Sequence, residues 1–328
     1  MTYLLAQADV IRLPLSDKSV DFCFGSPPYI DARLYLENGI NLGIARNLTD
    51  WVEWMLEVTT ECLRVTRGAV VWIAAGKTED RNYWPACEGL MWEWHKRGGH
   101  AYRPCYWHRV GIPGSGGDQW FRSDIEHVMC FKRPGPLPWT DNTTMGHAPK
   151  YGPGGAMSHR DSAGKRRNQW GGTEKSAGHR KRDGSKDKSV RPSPVIHTVR
   201  CAAGNMEEQS YAPPTLANPG NLIQTTVGGG QLGSALAHEN EAPFPESLAE
   251  HFIRSLCPPC GTTLDPFSGS GTTAAVAHRL DRIGLGFDLR RSQCELSARR
   301  IPAGMKPVSK LDPAKAKAPL VGQLSMFD

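Results

Sequence analysis

Nowhere do the 328 residues contain a run approaching the roughly 20 consecutive apolar side chains of a membrane span. The opening Met1-Thr-Tyr-Leu-Leu-Ala6 has neither a basic leader nor a cleavage site, so a cytoplasmic protein with no membrane partner is expected. Cysteine is scarce, at nine, and irregularly placed, which excludes a secreted disulfide framework. Cys23, Cys62 and Cys130 sit in apolar runs as small hydrophobes. Cys257-Pro-Pro-Cys260 and Cys105-x-x-His108 each lack a second pair at ligand spacing, so no metal is expected. No Glu-x-Lys or Asp-x-Lys tripeptide occurs, and with it the usual mark of a metal-dependent nuclease is missing. From Pro138 to Ser189 there is not one Leu, Ile or Val. Such a stretch cannot offset the entropy of ordering by burial, and it is expected to be mobile without a partner.

What is present is unevenly distributed. The net charge is +6, but residues 132–200 hold 15 lysines and arginines against five acids, leaving 24 against 28 elsewhere. Basic charge gathered in one segment is the footprint of a surface that meets phosphates. Lys165, Arg166, Arg167, Arg180, Lys181 and Arg182 are its densest clusters and the candidate DNA-binding residues.

On either side the chain is globular. Val20 to Phe24 and Ala69 to Ala74 read as buried strands, rich in β-branched and aromatic residues. Between them Trp51, Met55, Val58, Cys62 and Val65 recur on one helical face, with Asp50 and Glu53 spaced as a capping box and Gly68 closing the end. In the last third, a helix opens at Pro245 and strands are expected at Thr262 to Leu264 and Ile283 to Phe287. A helix spans Ala274 to Leu280 between them, and Ser292-x-x-Glu295 is spaced to cap a final one through Ile301. Strands alternating with helices imply an α/β fold around a mainly parallel sheet.

Two constellations carry chemistry. Leu264-Asp-Pro-Phe-Ser-Gly-Ser-Gly-Thr-Thr273 is a strand, a glycine-rich turn and a helix start. Gly269 and Gly271 let a ligand approach the backbone, and the helix amides ahead of Thr272 favour an anionic group. Asp288, 23 residues beyond Asp265, ends the next strand where an acid accepts from ribose hydroxyls. A nicotinamide dehydrogenase would share both features. Gly25-Ser-Pro-Pro-Tyr29 discriminates: Pro27 and Pro28 remove two backbone donors and stiffen the turn, leaving the Pro27 carbonyl and the Ser26 side chain as acceptors suited to an amino group. Tyr29 offers a flat face to a base. A strand-terminating turn is the bland alternative.

Together these residues resemble the amino-methyltransferase family of bacterial and phage DNA methyltransferases, in the permuted β-type order with the catalytic motif ahead of the cofactor motif. Ser26-Pro-Pro-Tyr29 is similar to the catalytic motif, and Asp265-Pro266-Phe267 with Gly269, Gly271 and Thr272 to the methionine-binding turn. Asp288 corresponds to the ribose acid, and Asp9 to the acid beside the cofactor's adenine. His238-Glu-Asn-Glu-Ala-Pro-Phe244-Pro245 resembles the helix-entry motif that closes over the cofactor, though it departs from the commoner His-Pro-Ala-Pro-Phe.

The resemblance implies a Rossmann-like S-adenosylmethionine-dependent fold with helices on both faces of the sheet. It also implies methylation of a base flipped out of double-stranded DNA, with cytosine N4 slightly favoured over adenine N6. RNA or protein-glutamine methylation is the nearer rival. Residues 1–133 would form the catalytic half, 134–237 a basic recognition insertion, 238–305 the cofactor half and 306–328 a tail. The tail ends in Gln323-Leu-Ser-Met-Phe327, which resembles the peptide by which bacterial repair proteins dock on the sliding clamp.

Overall fold

In the computed structural model, residues 3–30, 47–111, 120–146, 219–227, 232–240 and 242–303 are described, with the strand pairs Leu36–Glu37/Ile40–Asn41 and Thr198–Arg200/Met206–Glu208. Nine strands form the main sheet: β1 Tyr3–Gln7, β2 Phe22–Gly25, β3 Val70–Ala74, β4 His100–Ala101, β5 Cys105–Val110, β6 Ile125–Lys132, β7 Leu222–Thr226, β8 Thr262–Asp265 and β9 Ile283–Asp288. Their order is β1-β9-β8-β2-β3-β6-β5-β7, with β4 beside β6. All neighbours along that path are parallel except β6, which runs against β3 and β5.

The α-helices of the described residues are α1 Leu48–Val65, α2 Ala86–Lys96, α3 Glu246–Leu256, α4 Thr272–Arg279 and α5 Arg291–Ala303. None is long and apolar enough to cross a membrane. Side chains alternate along a strand, so one run of apolar residues feeds two cores. Val70, Trp72 and Ala74 of β3 join α1 and α2, whereas Val71 and Ile73 join α3 and α4. Every residue of β2 and β3 is buried, as a parallel sheet covered on both faces requires. A smaller cluster of Leu5, Ala274, Ala275, Ala298 and Ile301 seats α5.

Three local expectations are corrected. Helix α1 begins at Leu48 and its cap is Asn47, not Asp50: Asn47 Oδ1 accepts from the Asp50 amide at 2.9 Å. It ends at Val65, and Gly68 serves a close approach instead, since a Cβ there would stand 2.1 Å from the Asp21 carbonyl oxygen. Ser292 falls inside α5, which starts at Arg291. Strand β7 comes from the segment 134–237 and pairs in parallel with β5 at the sheet's edge.

Candidate active site

Chain order reverses between β8 and β2: the links to β9 leave one way and those to β3 the other. Loops diverge at such a switch point and leave a crevice beyond the carboxyl ends of the strands. A cavity of about 770 Å³ lies there, within the roughly 300–1,000 Å³ span of small-molecule sites. Its wall is drawn from both motifs. Ser26, Pro27, Pro28 and Tyr29 line it from the end of β2, and Pro266, Phe267, Gly269 and Thr272 from the end of β8. Asp9 follows β1, Asp288 ends β9, and Phe244 precedes α3.

The cofactor side is braced by its own turn. Gly269 has φ +50°, and its amide donates to Asp288 Oδ2 at 2.9 Å, while the Arg290 amide donates to Oδ1 at 2.9 Å. Asp288 thus ties the end of β9 to the glycine turn. Helix α5 clamps the turn from behind. Ser297 Oγ donates to the Gly269 carbonyl at 2.7 Å, and the fully buried Arg300 donates to Ser270 Oγ at 2.8 Å and to Thr272 Oγ1 at 2.6 Å.

Two of the expected cofactor contacts lie one layer back. Asp265, 1% exposed, does not line the cavity; its Oδ1 accepts from the Phe267 amide at 3.0 Å. Burial pushes its carboxyl up to about 7, against the pull of hydrogen bonds from Thr273 and Phe267. Gly271, the left-handed N-cap of α4 at φ +81°, also lies off the wall, because its Cα faces α5: a Cβ would come within 2.8 Å of Ser297 Oγ. Neither residue lines the cavity, and both shape the turn that does.

The catalytic side is braced from a distance. Ser26 Oγ donates to the Ile73 carbonyl at 3.1 Å, and Trp51 Nε1 to the Pro28 carbonyl at 2.8 Å. Tyr29 Oη donates to Glu126 Oε2 at 2.7 Å, and Glu126 Oε1 meets Arg109 Nη1 at 2.8 Å. Burial and the Glu126 charge hold the Tyr29 phenol well above its usual range, so it stays neutral. With its hydrogen given to Ile73, Ser26 Oγ lines the cavity with acceptor capacity remaining.

Glu126 and Arg109 line the cavity and were not singled out from the sequence. The available signal was an acid within the mainly apolar strand Ile125-Glu-His-Val-Met-Cys-Phe-Lys132. Trp54 and Trp107 also line the wall; Trp54 packs 5.7 Å from Phe267. Lys165, Arg166, Arg167, Arg180, Lys181, Arg182 and the Gln323–Phe327 peptide lie outside the described residues. Cys257 and Cys260 separate in environment: Cys257 is buried, which pushes its thiol up to about 12, and Cys260 is exposed.

The residues fit an S-adenosylmethionine-like cofactor: a glycine turn on the cavity wall, an acid at the end of β9, a second acid after β1, and the apolar faces of Phe244 and Phe267. A doubly wound sheet with this turn at its switch point defines a nucleoside-cofactor enzyme class.

The comparisons narrow it. The DNA methylase family model for N6 and N4 amino-methyltransferases matches residues 20–299, and the chain belongs to that family. The type II methyltransferase M.ScaI of Streptomyces caespitosus is 30% identical over 92 residues, 27% of this chain and 30% of that protein. M.SmaI of Serratia marcescens is 40% identical over 60 residues, 18% of this chain and 20% of that protein. The chain therefore aligns with less than a third of these relatives' lengths. Among solved structures, the cytosine-N4-specific PvuII DNA methyltransferase superposes with TM-score 0.57 at 16% identity, over 96% of this chain and 90% of that one. A putative DNA modification methylase from Thermus thermophilus, complexed with S-adenosyl-L-methionine, gives 0.51 at 18% identity, over 94% and 96%. These two likenesses establish the Rossmann-like methyltransferase fold.

Proposed function

We propose that the chain transfers a methyl group from S-adenosylmethionine to the exocyclic amino nitrogen of a base in double-stranded DNA, with cytosine N4 slightly favoured over adenine N6. The observation that carries this reading is a single cavity walled by both Ser26–Tyr29 and the Gly269 turn. The Ser-Pro-Pro-Tyr form of the motif, and the cytosine-N4 specificity of the PvuII enzyme, favour cytosine.

When bound, S-adenosylmethionine supplies the methyl group and retains the electron pair of the broken carbon–sulfur bond. Asp288 would hold its ribose hydroxyls, Asp9 its adenine end and Gly269 its methionine end, with Phe244 and Phe267 excluding water. Ser26 Oγ and the Pro27 carbonyl would accept the two amino protons and so turn the nitrogen lone pair out of the ring plane. Tyr29, tethered to Glu126, would stack on the flipped base. Ser26 needs no basicity, because the methylated ammonium is itself a strong acid.

Two further parts of this reading rest on sequence. The clusters Lys165–Arg167 and Arg180–Arg182 would neutralise phosphates, giving binding that weakens steeply with salt. Gln323-Leu-Ser-Met-Phe327 would tether the enzyme to a sliding clamp through a linker of about 17 residues spanning roughly 20–25 Å.

Incubating the purified protein with S-adenosylmethionine and unmethylated duplex DNA, then analysing nucleosides by mass spectrometry, tests the proposal. N4-methyldeoxycytidine is expected. N6-methyldeoxyadenosine would correct the base. Methylation of RNA in preference to duplex DNA, or of neither, would overturn the reading.

A further inference from the structure

Trp120 and Phe121 are 79% and 83% exposed, more than any other large apolar side chain among the described residues. Their ring centroids lie 5.3 Å apart with the planes at 56°, so they present one aromatic surface to solvent. Adjacent exposed rings of this size mark a contact surface. Their place in the fold says what they contact. Ser123, two residues beyond Phe121, lines the cavity, and at most about 3.5 Å of chain per residue puts Phe121 within roughly 7 Å of that wall.

The stem behind them is fixed. Arg109 donates from its amide to the Asp124 carbonyl at 2.8 Å and from Nη2 to the Ser123 carbonyl at 2.7 Å. The same Arg109 pairs with Glu126, which holds Tyr29. The aromatic pair is therefore anchored at the rim of the pocket that would receive the base.

We propose that Trp120 and Phe121 enter the duplex at the target pair and fill the space the flipped base leaves. This rests on the methyltransferase reading above. Extruding a base exposes the faces of its two neighbours and leaves its partner unpaired, at a cost of a few kcal/mol. Flat apolar rings inserted there restore stacking, and they do so in any sequence because every base has a π face. Recognition of a particular site is left to other residues.

The test uses the full chain and a duplex carrying a site mapped by modified-base sequencing of wild-type product. The double variant Trp120→Ala, Phe121→Ala is compared with wild type on that duplex and on one mispaired at the target base. A mispaired base is already cheap to extrude, so the wedge is needed only on the paired duplex. The variant is expected to lose at least about tenfold in kcat/KM on paired DNA and to return to within about threefold of wild type on mispaired DNA. Its S-adenosylmethionine-induced rise in Tm should match wild type. A 2-aminopurine at the target position should brighten with wild type and stay quenched with the variant. Equal loss on both duplexes, or no loss on either, would overturn the wedge while leaving the methyltransferase reading standing. A wild type inactive on both would overturn that reading and this proposal with it.

Discussion

The two walls of the cavity are built on opposite plans. The cofactor-side wall, formed by Pro266–Gly269, Thr272 and Asp288, is held by amides and side chains of the same βαβ segment and of α5 immediately after it. The catalytic wall, Ser26–Tyr29, is held by Trp51, Ile73 and Glu126, which come from a helix and two other strands. A locally braced turn forms with its own supersecondary unit. A remotely braced loop takes its shape only once the sheet is assembled, so its geometry depends on the whole fold.

That contrast can be broken from either side. The largest effect is expected at Gly271. Valine there would be strained at φ +81° and would drive a Cβ into Ser297, prying α5 from the turn. Loss of cofactor-induced stabilisation together with a Tm several degrees lower is expected by thermal melting. A normal melt with normal cofactor binding would show that α5 does not shape the turn.

On the other wall, Tyr29→Ala should reduce kcat by about 10²- to 10³-fold while S-adenosylmethionine affinity stays within about threefold. An equal loss of both would make Ser26–Tyr29 a structural turn. Glu126→Leu should act in the same direction but more weakly, about tenfold in kcat, because the Tyr29 ring survives and loses only its anchor. Glu126→Gln, which still accepts from the phenol, should recover most of that loss. If Gln and Leu behave alike, the carboxylate is not positioning Tyr29.

The smallest effect is a pH dependence confined to the cofactor wall. The Asp265 carboxyl lies at about 7 in the folded protein against an ordinary 3.8. The native state therefore keeps a proton that the unfolded chain has lost between about pH 4 and 7. Its stabilising share is complete below about pH 4 and disappears as pH rises through 7. Asp265→Asn should gain Tm relative to wild type as pH is raised from about 5 to 8. A constant difference would mean that Asp265 is ionised throughout.

The same contrast explains what was legible in the sequence. Strands β2 and β3 were readable because burial on both faces demands continuous apolar runs, and α1 because its stripe repeats at helical spacing. Both motifs fell on one cavity, as their residue types implied. Within the glycine motif, however, spacing could not separate residues that line the cavity from Asp265 and Gly271, which face the protein. Glu126 stands 97 residues from Tyr29, so nothing local announced their hydrogen bond. Strand β7 was hidden because its alternation of exposed and buried positions is brief and follows a long polar stretch.

The central claim is that the cavity joins two separable functions, cofactor binding and presentation of an amino group. Calorimetric titration of S-adenosylmethionine into Ser26→Ala protein, on a preparation whose methyl transfer to duplex DNA is assayed in parallel, tests it most directly. The expected result is wild-type affinity within about threefold with turnover reduced by about two orders of magnitude, since the contact proposed for Ser26 is to the base and not to the cofactor. Full turnover, or a cofactor affinity that falls as far as the turnover, would contradict it.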